Sequence, residues 1–154
     1  MMKYKLFIIV VLIWGGCYSQ KNMPMKDCTC YFNIDSLLKK PYYRPNSSLI
    51  INSENPEVIS LSNGIISKTI NSNGILSIII RSGNLFYIYS DISTFSKEIK
   101  ENASVAKGEV IGKGIESENI YSSQLQIYKG SNTLSDTNKY VSCTFIKNKN
   151  LVKD

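Results

Sequence analysis

The sequence predicts an all-β domain, on three observations. Between Ser48 and Ile146 apolar residues come in short runs or alternate with polar ones, the period that sends successive side chains to opposite faces of a strand. Those runs are rich in β-branched and aromatic residues, which suit a pleated surface. Gly- and Asn-containing turns separate them at short intervals. The pattern is that of an antiparallel meander, not of a helical domain.

Taken in order, Leu49-Ile50-Ile51 opens the domain. Residues 57–62 (EVISLS) alternate, and Asn63-Gly64 offers a turn into a strand from Ile65 to Ser72. Asn73-Gly74 is a strong hairpin signal, because both residues tolerate positive φ. Residues 75–81 (ILSIIIR) form the return strand, and Ser82-Gly83-Asn84 turns it into residues 85–90 (LFYIYS). Residues 91–101 read as a break, with 93–100 as a helical turn or a loop. Val105 to Gly112 holds a tight turn at Lys107-Gly108 between two short apolar stretches. Residues 123–129 (SQLQIYK) alternate cleanly: Leu125 and Ile127 share one side, and Gln124, Gln126 and Tyr128 the other. Lys129-Gly130-Ser131 turns the chain again, and residues 139–146 (KYVSCTFI) read as a last strand.

Four regions result. Residues 1–19 have the build of a secretory signal peptide: Lys3 and Lys5, an apolar run from Leu6 to Trp14, then Gly15, Gly16 and Cys17. The run falls well short of the roughly 20 apolar residues that span a bilayer, which weighs against an uncleaved anchor. Cleavage before Cys17, as at a bacterial lipobox, gives a lipid-modified N-terminus, although Trp14 stands where that box prefers a small aliphatic. Cleavage after Ser19 frees Gln20 and a secreted protein. Residues 20–48 hold Pro24, Pro41 and Pro45 and read as an irregular tether with one short helix at 34–39. Residues 49–146 are the β-domain, and 147–154 a polar tail.

Of 18 basic residues, Lys3 and Lys5 leave with the signal, so 16 stand against 12 acidic ones, a balance of +4. They are scattered, with no basic stripe of interleaved aromatics, so no nucleic-acid partner is expected. Among the cysteines, Cys28-Thr-Cys30 is too tight for a relaxed bridge within itself, so either Cys28 or Cys30 is expected to pair with Cys143. A thiolate metal site on the same three residues would need a fourth ligand.

Four stretches in order resemble the lysostaphin-type (LytM-type) zinc endopeptidases, which cleave peptidoglycan cross-bridges. They are EVISLSNGIIS (57–67), GILSIIIRSGNLFYIYSDI (74–92), ASVAKGEVIGKG (103–114) and SQLQIYKG (123–130). Together they run from residue 57 to residue 130. The resemblance implies an antiparallel β-sandwich of the barrel-sandwich hybrid kind, a duplicated hybrid motif. It also implies where zinc and its catalytic partners would stand. The family's His-x-His positions fall on Gln124 and Gln126, and its His after the Tyr falls on Asp91, beyond Tyr89-Ser90. Positions 44–51, at the start of the domain, carry neither His nor Asp.

The chain contains no histidine at all. Zinc needs roughly three strong protein donors to make a hydroxide near neutral pH, and a glutamine amide is a weak neutral ligand. No metal, cofactor or catalytic residue is therefore expected. A residual groove at Tyr89, Asp91, Gln124 and Gln126 is the candidate site, its bland reading being a strand surface and a strand-end turn. The stretch between Gly114 and Ser122, which walls the groove in the family, looks short. Degenerate members of the family dock on cell-wall amidases and activate them, so the resemblance implies an inactive envelope protein with an amidase, another envelope protein or peptidoglycan as partner. The competing expectation is a structural or accessory lipoprotein without a peptidoglycan role.

Overall fold

The computed structural model describes residues 22–32, 48–134 and 137–146. The signal-like start, the short helix expected at 34–39 and the polar tail lie outside the described residues. Among these residues eleven strands follow one another: β1 (Thr29–Phe32), β2 (Leu49–Ser53), β3 (Glu57–Ile59), β4 (Gly64–Ser72), β5 (Ile75–Ser82), β6 (Leu85–Phe95), β7 (Ser104–Val105), β8 (Val110–Ser117), β9 (Ile120–Lys129), β10 (Asn132–Thr133) and β11 (Thr144–Phe145). A 3-10 turn, Thr137–Tyr140, precedes β11. The all-β expectation holds. The strands form one mixed sheet in the order β11-β1-β2-β9-β8-β6-β5-β4-β7, with β3 on β8, β10 on β9, and a further β6–β9 pairing. Only β1 and β11 run parallel among these pairs.

Alternation in the sequence becomes the two faces of this sheet. Leu49 and Ile51, Ile78 and Ile80, Tyr87 and Tyr89, and Leu125 and Ile127 point inward with Val58, Ile66, Ile92 and Ile111, and all are buried. Burying each such side chain contributes roughly 1.5–3 kcal/mol, so a one-residue slip of any strand would expose a whole row. Turn chemistry pins the register. Asn73 and Gly74 (φ 52° and 86°) close β4 onto β5 with Ser72 opposite Ile75, as the Asn-Gly pair predicts. Gly83 (φ 60°) turns β5 into β6.

Four expectations are corrected. First, residues 22–32 are part of the domain, not of a tether. Met25 is fully buried, β1 pairs β2 along its whole length, and Cys28 is disulfide-bonded to Cys143. Second, the strands on either side of the Asn63-Gly64 turn do not pair with each other, as the expected meander would have them do. β3 pairs β8 while β4 pairs β5 and β7, and the Asn63 side chain instead accepts the Lys107 N–H at 2.8 Å. Third, the chain does not break at Asp91: β6 runs on to Phe95 through a bulge. Fourth, residues 139–146 are not one strand. The disulfide at Cys143 and bonds from the Ser142, Thr144 and Ile146 N–H groups to the Asn22, Cys28 and Cys30 carbonyls hold this stretch against the N-terminal segment.

Candidate functional site

The candidate residues lie where β6 changes partner. Residues Leu85 to Ser90 of β6 pair with β9, and Ile92 to Phe95 pair with β8. Asp91 stands between these two stretches. On the other edge of β6 the register steps from Ile78–Tyr89 to Leu76–Ile92, so two residues, Ser90 and Asp91, face Ser77. Such a bulge re-aims side chains, and Asp91 takes the left-handed conformation (φ 58°) that Asp accepts better than most residues.

Directly paired residues share a face of the sheet. Tyr89 pairs with Leu125, Ser90 with Gln124, and Ile88 with Gln126. Tyr89 and Leu125 are therefore on the core side, and both are wholly buried. Gln124 and Gln126, half-buried, are on the open side. The structure brings Asp91 and Gln124 together: the Gln124 Nε2 donates to Asp91 Oδ2 at 2.7 Å. Gln126 follows on the same face, and the Tyr128 hydroxyl donates to its Oε1 at 3.5 Å. Tyr89 does not join them. Its hydroxyl accepts the Leu61 N–H at 2.9 Å inside the core, and burial drives its phenol well above the ordinary tyrosine range.

Sequence reading missed the neighbours that give this face its character. Tyr31 and Ile50 lie in register with Gln124, and Arg81 and Phe86 with Tyr128. Their signal was the same alternation that marked the core, read for the opposite phase.

These residues do not suit zinc. Gln124 and Gln126 offer neutral amides, and the Asp91 carboxylate already accepts one of them. Among the described residues no group of three or more His, Cys, Asp or Glu is placed to hold a metal ion. The thiols do not substitute. Cys28 and Cys143 are bonded to each other, and Cys30 is a buried free thiol whose pKa burial pushes up to about 11. The arrangement can exchange hydrogen bonds with a ligand but carries no activated nucleophile.

The face is also open at one end. β8 turns into β9 through Glu118 and Asn119, at φ 52° and 64°, with Ser117 opposite Ile120. This two-residue hairpin of the primed type leaves no loop to wall a groove. At that end of the same face lies a cleft of about 580 Å³, bordered by Lys26, Thr29, Asn52, Glu54 and Ile120, and elsewhere one of about 230 Å³ is bordered by Met23, Ile59, Leu61 and Lys107.

Comparison with known protein families finds no match to the sequence, and comparison with curated proteins finds none. Solved structures do match. The chain is similar to Helicobacter pylori Csd3 (TM-score 0.62, 19% identity), over 80% of this chain and 33% of that one. It is similar to a chain of the SpoIIQ–SpoIIIAH pore-forming complex (TM-score 0.58, 13% identity), over 79% and 90%. It is similar to lysostaphin (TM-score 0.54, 15% identity), over 84% and 57%. At these identities the likeness shows a lysostaphin-type fold. The chain spans about a third of the length of Csd3.

Proposed function

We propose that this chain is an exported, catalytically inactive member of the lysostaphin-type fold, working as a binding or regulatory module in peptidoglycan remodelling. One observation carries the reading. At the positions where the resemblance puts zinc chemistry, Gln124 and Asp91 are hydrogen-bonded to each other, an arrangement that stabilises a sheet surface and activates no water. The signal-like start of the sequence supports export, with Cys17 as the lipidation site. The likeness to a chain of a two-protein pore-forming complex supports a protein partner in the envelope, and the mixed Tyr31, Ile50, Gln124 and Asp91 face is the surface offered to it.

The test is co-sedimentation of the purified mature chain with insoluble peptidoglycan, together with assay of a cell-wall amidase in its presence. Binding to the wall, or a rise in amidase rate that a Gln124→Arg, Asp91→Arg double variant loses, is the expected result. The absence of a wall on the face favours the second reading, an accessory lipoprotein without a peptidoglycan role. Neither sedimentation nor activation by a folded protein would decide for it.

A further inference from the structure

We infer that the domain sits flush against a membrane, with its Asn22–Lys26 end and Lys107 facing an anionic phospholipid surface. The inference rests on the acylation of Cys17 proposed above and adds an orientation to it. The first support is how early the fold begins. The Asn22 carbonyl accepts the Ser142 N–H at 2.8 Å, the Pro24 carbonyl accepts the Ile59 N–H at 2.7 Å, and Met25 is fully buried. The chain is thus held by the domain from Asn22 onward, and five peptide steps link it to Cys17. Fully extended, five steps reach at most about 18 Å. That is shorter than the width of a domain of this size, whose radius of gyration alone is about 13 Å. On so short a leash the attachment end stays turned toward the lipid.

The second support is the chemistry of that end. Met23, one residue past the attachment point, lines the 230 Å³ cleft with Ile59 and Leu61. Lys26 and Lys107 border the same cleft and are exposed, and Glu57 is its acidic lining residue. Lys21 adds a cation within the link, which has no acidic residue. An apolar floor between lysines suits the glycerol and phosphate region of an anionic lipid, where basic residues gain most within a Debye length of the surface. The orientation also confines any partner of the Gln124 face to the membrane-proximal layer of the envelope.

The experiment uses the full chain processed in cells and placed in vesicles of phosphatidylglycerol and phosphatidylcholine. The mass of the N-terminal peptide reads acylation of Cys17, and brief lysine acetylation reads what the lipid covers. The reference is a variant with a flexible spacer of about 20 residues inserted after Lys21, ahead of the described residues. Relative to that variant, labelling of Lys26 and Lys107 is expected to slow roughly threefold or more on anionic vesicles, with Lys68 and Lys129 unchanged. Acylated Cys17 with even labelling of all four lysines overturns the orientation and leaves the lipoprotein reading standing. Equal protection on pure phosphatidylcholine overturns the assignment to anionic lipid. An unmodified Cys17 overturns both.

Discussion

At the scale of single residues, Gln124 shows why restoring the expected ligands would not restore the chemistry. A Gln124→His variant supplies one imidazole beside the Asp91 carboxylate, two donors where zinc needs about three strong ones. Calorimetric titration of that variant is expected to show no tight one-to-one zinc binding; a sub-micromolar site would mean an overlooked ligand. Tyr89 is a different kind of residue from the one its neighbours in the sequence suggest. Its hydroxyl satisfies the buried Leu61 N–H, so Tyr89→Phe orphans that donor and costs about 1–3 kcal/mol in denaturant unfolding. Because its folded pKa is raised above the ordinary 10, the stability it contributes is full below about pH 10. That contribution declines at higher pH, as the unfolded phenol ionises first. Cys30, buried and with its pKa near 11, is expected to resist iodoacetamide in the native protein and react once unfolded. That Asp91 and Gln124 lie together was legible from the order of motifs. The side that Tyr89 faces was not legible, because motif matching ignores the period of two that Tyr89 and Gln124 obey.

At the scale of elements, β6 and β8 show what a glycine in a strand is for. A Cβ on Gly112 would lie 2.5 Å from the Thr94 carbonyl oxygen and 2.8 Å from Ile92 Cγ2. Gly112→Ala is therefore expected to lose about 1–3 kcal/mol, measured as a shift in the unfolding midpoint. By contrast the β4–β5 tip at Gly74 is open, so only its φ is at stake there. The strands themselves were legible wherever alternation and an Asn-Gly turn agreed, as in β4 and β5. Pairing was harder. β3 and β4 are adjacent in sequence, yet β3 goes to β8: neither Asn63 nor Gly64 takes the positive φ a primed hairpin turn needs, and the Asn63 side chain accepts the Lys107 N–H. The continuation of β6 past Asp91 was hidden because a bulge interrupts the alternation that would have revealed it.

At the scale of the molecule, the two ends of the described chain are tied together. The Cys28–Cys143 bond closes a separation of 115 residues, and the loop-entropy account gives such a cross-link about 3–5 kcal/mol. A Cys28→Ser, Cys143→Ser double variant is expected to lose stability of that order, seen in chemical unfolding with and without reductant. Proline and polar composition made residues 22–32 look like a tether. Only the assembled fold shows Met25 and the disulfide drawing them into the core. The whole resembles a lysostaphin-type domain in which a hydrogen-bonded amide and carboxylate stand where metal chemistry is expected. Measuring bound zinc after incubation and dialysis, together with release of fragments from peptidoglycan, tests that claim most directly. The account predicts no stoichiometric zinc and no release from the folded mature chain. One zinc per chain with cleavage of the wall would contradict it.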